Sequence, residues 1–210
     1  MRDVHHRIKN TLQGVAGLLE RHAGAHPALG PAIDEARTRL NALAIVHGLQ
    51  SNIATAEVNL CNIVRGIVDM LQAVSPAQVK FDLPEGFVPI EVADEESVPV
   101  ALILNELLTN ALKHLDAGAE QALVSVTLGY SGRVAVIVVR NEPARLPAGF
   151  DLDSGAGLGT GLKLAKSLLP AQGATLQLLV PLPGGVEAIL KLSPPILKLP
   201  PVPDRGGGPL

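Results

Sequence analysis

Residues 104–114 read LNELLTNALKH, a strongly apolar helix-forming segment that sets Glu106, Asn110 and Lys113 at intervals of four and three. That spacing places the three polar side chains on one stripe beside the apolar arc. A carboxylate and an amide oxygen so placed can hold a Mg²⁺ that keeps several waters, while Lys113 meets phosphates directly. A helix with a solvated polar edge carries the same pattern, so the stripe alone leaves both readings open. The segment ends a long helix, with Asp94 as its cap and His114 as its limit. Upstream, Leu60, Ile63, Val64, Ile67, Val68 and Leu71 mark a helix, and VKFDL (Val79 to Leu83) and PIEV (Pro89 to Val92) are short strands. Downstream, ALVSVTLGY and RVAVIVVR form two strands split by a turn at Ser131-Gly132. A helix from about Gly161 to Leu169 and the strands ATLQLLV and VEAILKL complete the pattern. These elements predict an α/β sandwich of mostly antiparallel strands with helices on one face.

A second segment points to phosphates. In GAGLGTGLKLAKSLL, Gly155 to Leu169, glycines fall at 155, 157, 159 and 161 and a helix begins at once. Glycines let the backbone approach phosphates, and the first turn of a helix offers unpaired N–H groups to negative charge. The spacing is not the dinucleotide fingerprint, because Thr160 and Leu162 stand where its final glycine belongs. Nor is it a Walker loop, which needs Gly-Lys-Ser/Thr. A connecting loop fits the same residues.

The amino-terminal third has a different pattern. Val4, Ile8, Leu12, Val15 and Leu19 recur at spacings of four, four, three and four, the stripe of an amphipathic helix from Asp3 to about Ala23. His26, Pro27 and Gly30-Pro31 break it, and a second helix is expected from about Pro31 to Ile53. Two helices joined by a short turn make an antiparallel hairpin. Its apolar face stays wet unless a second copy pairs with it, which predicts a homodimer built on a four-helix bundle. Within the first helix His6 points about 150° from the apolar stripe and His5 only about 50°. Asp3 and Asn10 share the face of His6, and a carboxylate there would hold the Nδ1 proton and leave Nε2 as a nucleophile. An exposed histidine is more often a solvated surface residue. Metal binding is set aside, because adjacent histidines splay apart on a helix.

Composition narrows the classes. The chain has 210 residues, 47% of them apolar, with a mean hydropathy of +0.32, which is ample for a packed core. No run of about 18 uninterrupted apolar residues occurs, so no membrane segment is expected. The net charge is −3 and aromatic residues make up 2%, which argues against nucleic acid as a partner. Cys61 is the single cysteine, and no signal-peptide pattern opens the chain; both predict a cytoplasmic location. Helix-forming sequence begins within a few residues of Met1, so no sensory module is expected upstream within this chain, whether it stands alone or is a fragment. The expected organisation is a hairpin over 1–55, a nucleotide-binding domain over 56–193 and a disordered Pro/Gly-rich tail over 194–210.

Taken together, HRIKN at His6 to Asn10, NELLTNALKH at Asn105 to His114 and GLGTGLKLAKSLL at Gly157 to Leu169 resemble the sensor histidine kinases of two-component signalling. The likeness is to the subfamily whose phosphoacceptor box reads His-Arg-x-Lys-Asn. It implies an α+β chain: a dimerising phosphoacceptor hairpin followed by an ATPase domain of the GHKL (Bergerat) type. It implies ATP and Mg²⁺ as cofactors and the receiver domain of a response regulator as a partner, docked around Asn10, Gln13 and Gly17. By the same likeness His6 is the phosphorylated residue and Asn110 the Mg²⁺ ligand. Glu106 is a polar neighbour assisting the metal or the proton transfer, and Gly157 to Gly161 cover the phosphates, with Gly155 and Thr160 in the same lid. One departure stands out. The box that normally carries an adenine-binding aspartate corresponds to Asn141-Glu-Pro-Ala-Arg145, where Asn141 accepts through an amide oxygen and Pro143 and Arg145 replace two glycines. An alternative is therefore a histidine phosphotransfer or scaffold protein that no longer binds ATP. A third reading, a serine kinase or other ATPase of this fold, leaves HRIKN unexplained.

Overall fold

The computed structural model describes residues 2–51, 58–115, 123–182 and 184–198. Helix α1 (Arg2–Ala25) turns through a short 3-10 segment at Pro27–Leu29 into α2 (Gly30–Ser51). Pro31 falls in the first turn of α2, where its missing N–H has no intrahelical role. Then come α3 (Leu60–Gln72), β1 (Val79–Asp82), β2 (Glu91–Val92), α4 (Asp94–Lys113), β3 (Leu123–Ser131), β4 (Val134–Glu142), α5 (Thr160–Leu168), β5 (Ala174–Leu179), β6 (Val186–Leu192) and β7 (Leu197–Lys198).

The main sheet runs β1-β3-β4-β6-β5, and only the β1–β3 pair is parallel. Strand β4 shows why one face carries the helices. Its side chains alternate, so that Ala135, Ile137, Val139 and Asn141 are buried while their neighbours are half-exposed. The buried faces of β3 and β6 join them, and α3 and α4 pack on top through Ile63, Ile67, Ile103, Leu104 and Leu108, all fully buried. The Asn59 side chain caps α3 by accepting from the Asn62 N–H at 2.8 Å. Asp94 is the first helical residue of α4 rather than its cap; with Glu95 and Glu96 it places three carboxylates in the first turn, where the helix dipole favours them.

The first residues of the expected tail are ordered. Pro194 to Lys198 lie against the layer, with Ile196 and Leu197 buried and β7 paired antiparallel to β2. Apolar side chains and a free edge on β2 outweigh the proline content there. Residues 199–210 lie outside the described residues.

Helix α2 is the join between hairpin and sandwich. Val46 belongs to the common core, and Ile45 and Leu49 pack against it. Gly66 of α3 makes the close approach possible: a Cβ there would stand 2.8 Å from Ile45 Cγ2.

Candidate functional site

Several elements converge on one cavity of about 290 Å³. The polar edge of α4 contributes Asn110 and Lys113, and the buried face of β4 contributes Asn141. The loop before α5 contributes Gly157 and Gly159, and the first turn of α5 contributes Thr160 and Gly161. Leu107, Val139, Leu178, Val186 and Ala188 give it an apolar floor. This is the usual composition of a small-molecule site, mostly apolar with a few convergent polar groups.

Each polar group is oriented by a local cause. Asn141 donates its Nδ2 hydrogen to the carbonyl of Ala111 at 3.1 Å. A carbonyl can only accept, so the Nδ2 end of the amide makes this bond and Oδ1 is left as the acceptor of a residue that lines the cavity. Asn110 keeps its Nδ2 buried with no partner among the described residues. Gly161 stands directly against it: a Cβ on Gly161 would lie 3.4 Å from Asn110 Nδ2 and would collide with Glu106 Oε2. Only glycine lets α5 close this tightly on α4. The N–H groups at the start of α5 have no side-chain cap, since Gly159 occupies the capping position. Gly157 takes φ +73°, with Phe150 packed where a side chain would project.

The loop is braced by its own bonds. The Asp151 carboxylate accepts from the N–H groups of Asp153 and Ser154 at 2.8 and 2.9 Å. The Ser154 N–H does most to hold its pKa below the usual carboxylate range. Lys166 donates to the carbonyls of Leu152 and Asp153 at 2.9 and 2.6 Å, tying the loop to the helix that follows it.

Glu106 is not on an open edge. It is 3% exposed and takes a bidentate bond from Arg39 of α2, Nε to Oε1 at 2.7 Å and an Nη to Oε2 at 3.2 Å. Arg39 also lies 3.7 Å from Glu35, one turn earlier. The Glu106 contact is the main cause that raises the guanidinium pKa above its ordinary value. Glu35 in turn lines the cavity and accepts from the Thr160 hydroxyl at 3.4 Å. Sequence reasoning missed both α2 residues. Their i, i+4 spacing reads as an ordinary surface ion pair, and the partner that gives it meaning is 67 residues away.

No described group of three His, Cys, Asp or Glu side chains could hold a metal ion. The residues fit instead a Mg²⁺ carried in on phosphate oxygens. Such an ion keeps most of its waters and needs only one protein oxygen, which the amide oxygen of Asn110, a residue lining the cavity, would supply. Lys113 and Arg145 line the same cavity as cations without an ion-pair partner among the described residues.

Gly155 takes φ +83° at the start of the loop and does not line the cavity. His6 belongs to α1 and does not line the cavity either. On α1, His6 is exposed, whereas His5 is half-buried, with its Nδ1 3.2 Å from His47 Nδ1 on α2. No hydrogen bond joins Asp3 to His6 among the described residues.

The chain is similar to known proteins. A family model described as histidine kinase matches residues 3–75. The chain is 31% identical to the sensor histidine kinase PdtaS of Mycolicibacterium smegmatis over 82% of its own length, and 27% identical to PdtaS of Mycobacterium tuberculosis over the same share. It spans about a third of the length of these relatives, 35% and 34%. Among solved structures, the histidine kinase domain of the blue-light activated kinase of Erythrobacter litoralis matches with a TM-score of 0.62 at 17% identity, covering 91% of this chain and 94% of that one. The catalytic domain of the histidine kinase ThkA matches at 0.53 and 15%, over 65% of this chain and 94% of that one. The likeness to sensor histidine kinases read from the sequence is thereby shown, and so is the fold. No described helix is long and apolar enough to cross a membrane.

Proposed function

We propose that this chain is the core of a sensor histidine kinase: it binds ATP with Mg²⁺ in the cavity between α4, β4 and the glycine loop, and it phosphorylates itself on His6. In this reading residues 1–55 form the phosphoacceptor hairpin and residues 56–193, extended by β7, the nucleotide-binding layer. The convergence of Asn110, Lys113, Asn141 and the loop glycines on one cavity, in a chain whose exposed His6 opens HRIKN, carries the proposal. The apolar floor takes the base, and the Asn141 Oδ1 accepts from its exocyclic amino group. Lys113, Arg145 and the uncapped start of α5 face the phosphates. Mg²⁺, held through Asn110, would neutralise charge on the β- and γ-phosphates. The lone pair of His6 Nε2 attacks the γ-phosphorus, the bond to the β-phosphate oxygen breaks, ADP leaves, and the imidazole loses its Nδ1 proton to solvent. A cytoplasmic response regulator takes the phosphoryl group on an aspartate of its receiver domain, docking on the face of Asn10 and Gln13. The exposed Val4, Val15 and Leu18 support a homodimer, since a second hairpin would cover them.

Incubation with ATP and Mg²⁺ is expected to give a label that is lost in acid and kept in base, as an N–P bond requires. His6→Gln should abolish it and His5→Gln should retain most of it. A label that survives loss of His6 would refute the assignment. The second reading, a phosphotransfer protein without nucleotide, draws on the uncharged Asn141 and on Pro143 and Arg145 in place of glycines. A titration showing no ATP binding by a folded dimer would establish it.

A further inference from the structure

Helix α2 supplies a wall of the cavity, and the side chain it brings there has the wrong charge for a phosphate site. Glu35 lies beside Thr160 at the uncapped start of α5, the place where the cavity otherwise favours an anion. It is held there from behind: Arg39 bridges Glu35 and the buried Glu106, so hairpin and nucleotide helix are clasped through one guanidinium. The clasp also fixes where the cavity sits along the hairpin. His5 meets His47, which sets the level of the phosphoacceptor on α2. Arg39 and Glu35 are eight and twelve residues before His47, about 12 and 18 Å along the helix axis at 1.5 Å per residue. In-line transfer needs the reacting atoms about 3–3.5 Å apart. The clasped arrangement therefore holds the phosphate end of the cavity away from the chain's own His6.

We propose that Glu35 is a stand-in for a nucleotide phosphate: its carboxylate fills the anion position at Thr160, so that a phosphate enters there only by displacing it. This rests on the nucleotide reading above and deepens it. Entry of the triphosphate expels the Glu35 carboxylate and breaks the Glu35–Thr160 contact between α2 and α5, while the Arg39–Glu106 bond and the packing of Ile45, Val46 and Leu49 keep α2 on the layer. Adenosine, which has no phosphate, fits the apolar floor without disturbing the clasp.

The test uses the full chain and two probes, ATP with Mg²⁺ and adenosine, titrated against the wild type and Glu35→Gln. The substitution preserves shape on a half-exposed helix face and removes only the charge. ATP is expected to bind about tenfold more tightly to Glu35→Gln, as loss of one like charge near a phosphate allows, while adenosine binds both proteins equally. Equal ATP affinities, or a gain shared by adenosine, would overturn the proposal and leave the nucleotide reading intact. Failure of the wild type and of the variant to bind either probe would remove both.

Discussion

The hairpin and the sandwich both carry apolar stripes, yet they end in different states. In the sandwich the apolar residues of α3, α4, β3 and β6 are buried almost without remainder, and Leu104, Ile103, Leu108 and Leu190 are at 0% exposure. In the hairpin α1 buries Ala16, while Val4, Val15 and Leu18 remain 40–55% exposed. One half closes a core within the chain. The other has an apolar stripe of the right period that is only half covered, and α2 is the element with a face in each. Stability and assembly are consequently separable by position, and substitutions at matched residues can measure the separation.

The largest effect is expected in the sandwich core. Leu104→Ala should lose about 2–5 kcal/mol by chemical denaturation, because the surroundings close only partly over the cavity. Leu12→Ala, on the half-buried stripe of α1, should cost under about 1 kcal/mol in a monomer. Similar losses at the two sites would break the comparison. Next in size is the clasp. Arg39→Met leaves the Glu106 carboxylate buried without a counter-charge; since Arg39 is itself about a quarter exposed, the loss belongs near the low end of the buried-pair range, about 3 kcal/mol. Adding Glu106→Gln should restore most of it, and a double variant as unstable as the single would show that the pair carries no such cost.

A third experiment isolates assembly. Leu12→Lys with Leu43→Lys puts charge into the proposed bundle, so the chain should sediment as a monomer while the melting of the sandwich barely moves. The smallest effect concerns the His5–His47 contact. Burial first, then the neighbouring His5, hold the His47 pKa below its ordinary value near 6.5. A depressed imidazole pKa means that the folded state prefers the neutral ring. Its contribution is present above about pH 6.5 and is lost as pH falls through the lower folded value. Hairpin melting should therefore drop slightly from pH 8 to pH 5.5, and His47→Gln should flatten that dependence.

Much of this molecule was legible from local pattern. The alternation in RVAVIVVR gave β4, the four-four-three-four spacing gave α1, and the same helical angles separated exposed His6 from half-buried His5. What local pattern could not supply were contacts made by distant residues. Glu106 lies on the stripe its spacing predicts, but whether that stripe faces water depends on where α2 lands, and Arg39 is 67 residues away. The strand at 197–198 was hidden because proline-rich composition outweighed two apolar residues, and its partner strand has only two residues of its own. Asn141 was found as a substitution in a glycine box; its bond to Ala111 depends on how α4 lies across β4.

That late strand has a mechanical consequence. Ile196 accepts a hydrogen bond from the N–H of Ala93 at 2.8 Å, and Ala93 is the residue from which α4 starts. The segment 194–198 thus works as a tether on the fixed end of the lever whose other end carries Asn110 and Lys113. Cutting the chain after Leu192 would slacken that end, and the cut is expected to weaken nucleotide affinity at a site about 24 Å away along the helix, counted from Asp94 to Asn110.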